Sequence, residues 1–114
     1  YSVHKVPMAG DFRVEFNFGV KYHQVVIVSQ QALKVAEKVL QTSAKLLNLK
    51  NGTADFLYAR VDMYRASTAP SSLVGEKEES FVLSELEVTE PSLYPDIVPE
   101  FMGHFAQAFT DTLL

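Results

Sequence analysis

Cysteine is absent from this 114-residue chain. Without it there can be no disulfide, no thiolate metal site and no cysteine nucleophile. The chain also has no apolar run long enough to cross a bilayer and no signal-peptide pattern at its start. These absences fit a cytoplasmic protein with no membrane partner. No basic stripe is present and the formal net charge is −4, which argues against a nucleic-acid surface. A nucleotide ligand stays open, because a few local cations and a metal are enough to hold one. A glycine-rich phosphate loop is missing as well. The chain starts on Tyr1, not Met, and is expected to be a segment of a longer protein or a processed one.

The apolar and charged fractions, 47% and 21%, are those of an ordinary globular chain, and the length suits one domain with a modest core. Val3–Val6 reads as a short strand ended by Pro7, with a turn at Gly10. Phe12, Val14 and Phe16 alternate with polar residues, which predicts a half-buried strand. Tyr22–Val28 is rich in β-branched residues and is its expected hairpin partner. Ser29 is a suitable N-cap for a helix with an apolar face of Ala32, Leu33, Ala36, Val39, Leu40, Ala44 and Leu47. Asn48, Asn51 and Gly52 are its stop signals, and the sequon Asn51-Gly52-Thr53 reads as a turn. Strands are expected at Phe56–Arg65 and Phe81–Val88. Between them, residues 66–80 form a polar stretch longer than an ordinary hairpin loop, a functional lid or a tolerated insertion, and the lack of aromatic anchors favours the insertion. A last helix should start near Val98, with Pro99 in its first turn and a core stripe of Phe101, Met102, Phe105, Phe109 and Leu113.

The expected architecture is α+β, a single antiparallel sheet covered on one face by two helices. Side chains alternate along a strand, so Arg60 and Asp62 share one face, as do Glu85 and Glu87. If Asp62 lies opposite Glu85, then Arg60 lies opposite Glu87, and Ala66 opposite Phe81. Val61 then meets Leu86, and Ala59 meets Val88, on the covered side together with Val82. This register satisfies both faces at once. It also sets two carboxylates directly across from each other, which destabilises a sheet unless a cation intervenes.

Two explanations of the charged face follow from spacing. One is a solvated surface with a single Arg–Glu cross-strand pair and two spare acids. The other is a seat for Mg²⁺, which takes oxygen ligands together with substrate phosphates, beside a forked guanidinium suited to phosphoryl oxygens.

Arg60-Val61-Asp62, followed by Glu85-Leu86-Glu87 and its continuation Val88-Thr89-Glu90-Pro91-Ser92-Leu93, resembles the C-terminal part of an ATP-grasp domain of the glutathione-synthetase-like branch. That family has an Arg-x-Asp strand followed by a Glu-x-Asn strand or, in one subgroup, Glu-x-Glu. Lys5-Val6-Pro7 and Gly10-Asp11-Phe12-Arg13-Val14 are similar to the stretch that precedes those strands. The resemblance spans most of the chain, with its motifs in the family order. It implies that residues 1–114 are a single partial domain. Asp62, Glu85 and Glu87 would be ligands to Mg²⁺ bridging the phosphates of ATP. Arg60 would stabilise phosphoryl transfer. Arg13 would contact phosphate or the carboxylate substrate, and Lys5 would reach a phosphate. Glu87 departs from the commoner Asn, which leaves the division of roles between Glu85 and Glu87 open.

The implied reaction is ATP-dependent ligation of a small carboxylate to an amine-type acceptor through an acyl phosphate. The adenine hinge and the phosphate-binding lysines of such an enzyme lie upstream of Tyr1, in the same protein or another chain. The segment alone is therefore expected to be inactive. The alternatives are a non-catalytic nucleotide-binding or assembly domain that keeps the ATP-grasp shape, and an unrelated α+β interaction module with an acidic face. His4, His23 and His104 are scattered in sequence and read as surface or boundary residues. Ser84 is expected on the covered face, and Tyr58 on the Arg60 face.

Overall fold

The computed structural model describes residues 1–14, 16–66 and 80–113. The chain is α+β, and among the described residues its strands pair in two separate antiparallel sheets of two strands each, not in the single sheet expected. It divides into two compact units: residues 1–28 with 93–114, and residues 29–92.

In the first unit, β1 (Ser2–Val6) pairs with β2 (Lys21–Val25). The strand expected around Phe12–Phe16 does not form. Residues 11–14 have no regular structure, Glu15 lies outside the described residues, and Phe16–Phe18 is a short 3-10 helix. The cause is local. Gly10, at φ 82°, turns the chain so that the Asp11 amide donates to the Met8 carbonyl at 3.0 Å. The Asp11 side chain then accepts from the Arg13 amide at 3.0 Å. A side chain that binds the nearby backbone removes it from a ladder, and Phe12 is left 84% exposed. The partner of β2 is consequently β1.

α2 (Phe101–Leu113) belongs to the same unit. It begins after a turn in which the Ile97 and Val98 amides both donate to the Tyr94 carbonyl, at 3.0 Å each. Val98 is fully buried. Tyr1 fixes one end of the unit, stacking on Phe101 with centroids 4.3 Å apart and donating to the Leu93 carbonyl at 2.8 Å. The aromatic stripe is a core only in its first turns. Phe101 and Phe105 are half-buried, whereas Met102 and Phe109 stand exposed at 40% and 45%.

The second unit is built on α1 (Gln30–Leu46), which packs on β4 (Ser80–Glu87) and on a 3-10 turn at Gly52–Asp55. Its inward stripe is Ala32, Val35, Ala36, Val39, Leu40 and Ala44, at helical spacing. Leu33 and Leu47, expected on that face, are exposed. Ser29 is the N-cap through its carbonyl, which accepts from the Leu33 amide at 3.0 Å; its hydroxyl makes no capping bond. The helix stops as expected, with Asn48 left-handed at φ 54° and the Leu49 amide returning to the Ala44 carbonyl at 3.0 Å. Asn51 lies in the turn beyond, bound to Asp55 through its amide and side chain at 3.0 and 2.7 Å.

β3 (Arg60–Ala66) pairs with β4. The register begins as anticipated, Arg60 with Glu87, Val61 with Leu86 and Asp62 with Glu85. It then slips by one residue, so that Met63 pairs with Leu83 and Ala66 with Ser80 instead of Phe81. Ser84 is the extra residue of this bulge, and it is exposed, not on a covered face. The slip reverses the faces beyond it. Val82 pairs with Tyr64 and stands 55% exposed. Of the loop expected at 66–80, Ala66 and Ser80 prove to be the paired ends of β3 and β4, and residues 67–79 lie outside those described. No helix among the described residues is long and apolar enough to cross a membrane.

Candidate functional site

The β3–β4 ladder delivers four charged side chains to one place. The Arg60 guanidinium meets Asp62 Oδ1 through Nε at 3.1 Å, and Glu87 Oε1 and Glu85 Oε2 through Nη2 at 2.8 and 3.4 Å. The fourth contact is from Nη1 to the Ser92 carbonyl, at 3.4 Å. One guanidinium thus links both strands to the segment that follows them. Tyr58 reinforces that link by donating its hydroxyl to the Thr89 carbonyl. Arg60 and Asp62 are 17% exposed at their side chains, while Glu85 is 54% exposed at the rim.

Three carboxylates against one guanidinium leave two negative charges in excess. The donors are hard oxygens, the chemistry Mg²⁺ takes. The cation at their focus is Arg60 itself, and no group of three or more histidine or carboxylate side chains among the described residues is arranged to hold a metal as it stands. A metal ion would enter this cluster only if Arg60 gave up its carboxylates.

Arg13 and Lys5 lie in the other unit. Arg13 is held by Asp11 through Nε at 2.9 and 3.1 Å and through Nη2 at 2.6 Å. Its guanidinium also lies over the Phe18 ring, 3.6 Å from the centroid. Lys5 is half-buried with its ammonium 5.7 Å from the centre of the Tyr94 ring. Of the six residues singled out in the sequence, four converge in one unit and two sit in the other, each beside its own aromatic ring.

The Arg13 side chain, and after it the Arg13 amide, hold the Asp11 carboxyl well below the ordinary Asp value of 3.8. A lowered folded-state value means that the contact contributes fully above the unfolded value and is lost as pH falls through the folded one. The Asp11 carboxyl resonance is accordingly expected to show no titration step near pH 3.8, and the turn to loosen only in stronger acid. A step at the ordinary value would remove the contact from solution.

Sequence reasoning missed three features. The Ser92 and Thr89 carbonyls are backbone partners that no side-chain pattern signals. The bulge at Ser84 is the second. The third is the pairing of His4 with His23 across β1 and β2, which follows from β1, and not residues 12–16, being the partner of β2. A shallow depression of about 620 Å³ at the end of α1, lined by Gln41, Lys45, Asn48 and Asn51 among others, includes none of the charged cluster. Comparison of the chain with protein-family models, with curated proteins and with solved structures found no match.

Proposed function

We propose that this chain is the C-terminal, metal- and phosphate-binding portion of an ATP-grasp carboxylate–amine ligase. The observation that carries the reading is the convergence of Arg60, Asp62, Glu85 and Glu87 on one hairpin, in the register Arg60–Glu87 and Asp62–Glu85. The order of the motifs along the chain supports it.

Asp62, Glu85 and Glu87 would hold Mg²⁺, which when bound supplies neutralisation of the phosphate charge. Arg60, released from the acids, presents its fork to a phosphoryl oxygen as charge grows there. Tyr58 keeps the segment after β4 against β3, so the acids stay aligned while Arg60 turns. Arg13, fixed by Asp11 and Phe18, suits a substrate carboxylate or a phosphate, and Lys5 suits a phosphate. The substrate carboxylate attacks the γ-phosphorus of ATP and ADP leaves. An amine then attacks the acyl phosphate, and inorganic phosphate leaves. The adenine-binding half is assigned to residues preceding Tyr1 or to another chain.

One observation favours a non-catalytic reading. Arg60 is already engaged by three acids and a carbonyl, as a structural clamp would be. The test uses the protein that contains this chain, with ATP, Mg²⁺, a panel of small carboxylates and hydroxylamine as acceptor. The ligase reading expects Mg²⁺-dependent phosphate release matched by hydroxamate. ATP binding without phosphate release favours the non-catalytic alternative, and absence of ATP binding ends the ligase reading and leaves only an assembly role for that alternative.

A further inference from the structure

We propose that His4 and His23 form a two-imidazole site for a borderline divalent transition ion such as Zn²⁺ or Ni²⁺, on the exposed face of the β1–β2 pair. The ladder sets these two residues directly opposite each other, between the pairs Ser2–Val25 and Val6–Lys21. Directly opposed residues of an antiparallel pair share a face, with Cβ atoms about 5 Å apart. Both histidines are exposed, and neither makes a hydrogen bond or ion pair among the described residues. No ring nitrogen has to be withdrawn from an existing partner before it can bind a metal.

The strands restrict the two rings before any metal arrives. Lys5, Tyr22 and Gln24 occupy the opposite face and fasten it. Tyr22 stacks on Tyr94 with centroids 5.2 Å apart, and Gln24 donates to Glu100 at 2.8 Å. The imidazoles therefore start close together on a braced sheet, which lowers the ordering cost of chelation.

The neighbours select the class of ion. The residues sharing the histidine face are Ser2, Val6, Lys21 and Val25, with no carboxylate among them. A hard ion such as Mg²⁺ finds no preferred donor there, whereas imidazole nitrogens suit Zn²⁺, Ni²⁺ and Cu²⁺. With no third protein ligand grouped nearby among the described residues, the other coordination positions fall to water or to a second ligand, as in sites that bind more than the metal. This site is independent of the ligase reading. It lies in the other unit, uses nitrogen donors and takes different ions.

The experiment titrates ZnCl₂, NiCl₂ and MgCl₂ calorimetrically into the full chain without an affinity tag, and into its His4→Gln and His23→Gln variants. A single equivalent of Zn²⁺ is expected to bind the unaltered chain, with each substitution weakening it about tenfold or more. Zn²⁺ should also raise the thermal midpoint of the unaltered chain, and Mg²⁺ should not bind at this site. Zn²⁺ affinity unchanged in His23→Gln overturns the pair, because the metal is then held by His4 with another group such as the Tyr1 amine. No Zn²⁺ binding at all overturns it too. If a variant fails to fold, ring resonances of the unaltered chain decide. His4 and His23 must shift together with Zn²⁺, and movement of only one refutes the site.

Discussion

On the proposed ligase reading, Asp62→Asn and Glu85→Gln are each expected to lower ATP-dependent turnover by about a hundredfold or more, the scale of losing one preorganised electrostatic contact at a reacting phosphate. Both changes remove a charge and keep the volume. In Asp62→Asn the new amide oxygen can still accept from Arg60 Nε, now 3.1 Å from Asp62 Oδ1. Glu85 is the most exposed acid of the cluster and contributes least to holding the hairpin. Far-ultraviolet circular dichroism and the urea midpoint should therefore stay close to those of the unaltered protein while activity falls. Full turnover in either variant would dismiss these carboxylates as metal ligands.

Arg60→Ala is expected to destabilise the protein by about 2 kcal/mol. Breaking a fully buried pair costs about 3–5 kcal/mol and an exposed one about 1 or less, and Arg60 lies between these limits. The loss leaves Asp62 directly opposite Glu85 with Glu87 beside them, an arrangement of like charges that strains a ladder. It also frees the Ser92 carbonyl that Nη1 reaches at 3.4 Å. The buried residues of this unit, among those described, are Ala32, Ala44 and Pro91, so little other packing absorbs the change. Urea unfolding measures it. Combining Arg60→Ala with Glu87→Gln should recover part of the loss by removing one of the stranded charges, a test of coupling. An unchanged urea midpoint in Arg60→Ala would reduce the cluster to surface decoration.

The residues that made the charged hairpin readable also mark where reading stops. Arg60, Asp62, Glu85 and Glu87 have apolar residues between them, Val61 and Leu86, so both faces fix one register. Farther along β4, Phe81, Val82 and Leu83 are apolar in succession. A period of two cannot choose between them, and the slip at Ser84 passes unseen. Around Phe12–Phe16 the alternation was genuine, yet it lost to a contact two residues long. Asp11 binding Arg13 overrides the strand preference of Phe12 and Val14. With that strand gone, β2 had a different partner, and only then did His4 and His23 come face to face. Along α2 the aromatic spacing predicted a helix correctly. It could not reveal that Phe109 lies beyond the packed turns, because spacing reports a face and not what covers it.

The first unit is assembled from two stretches far apart in sequence. Tyr1 reaches Leu93 and Gln24 reaches Glu100, across 92 and 76 positions. The second unit is one uninterrupted stretch, and its helix needs no residue beyond Ser92 to find its strand. Long-range closure costs entropy before any contact repays it, and it slows folding. During synthesis the stretch carrying Arg60 can mature, and β1 can pair with β2, before residues 93–114 emerge, so a chain stalled before them would leave Tyr1 and Tyr22 without Phe101 and Tyr94 to pack on.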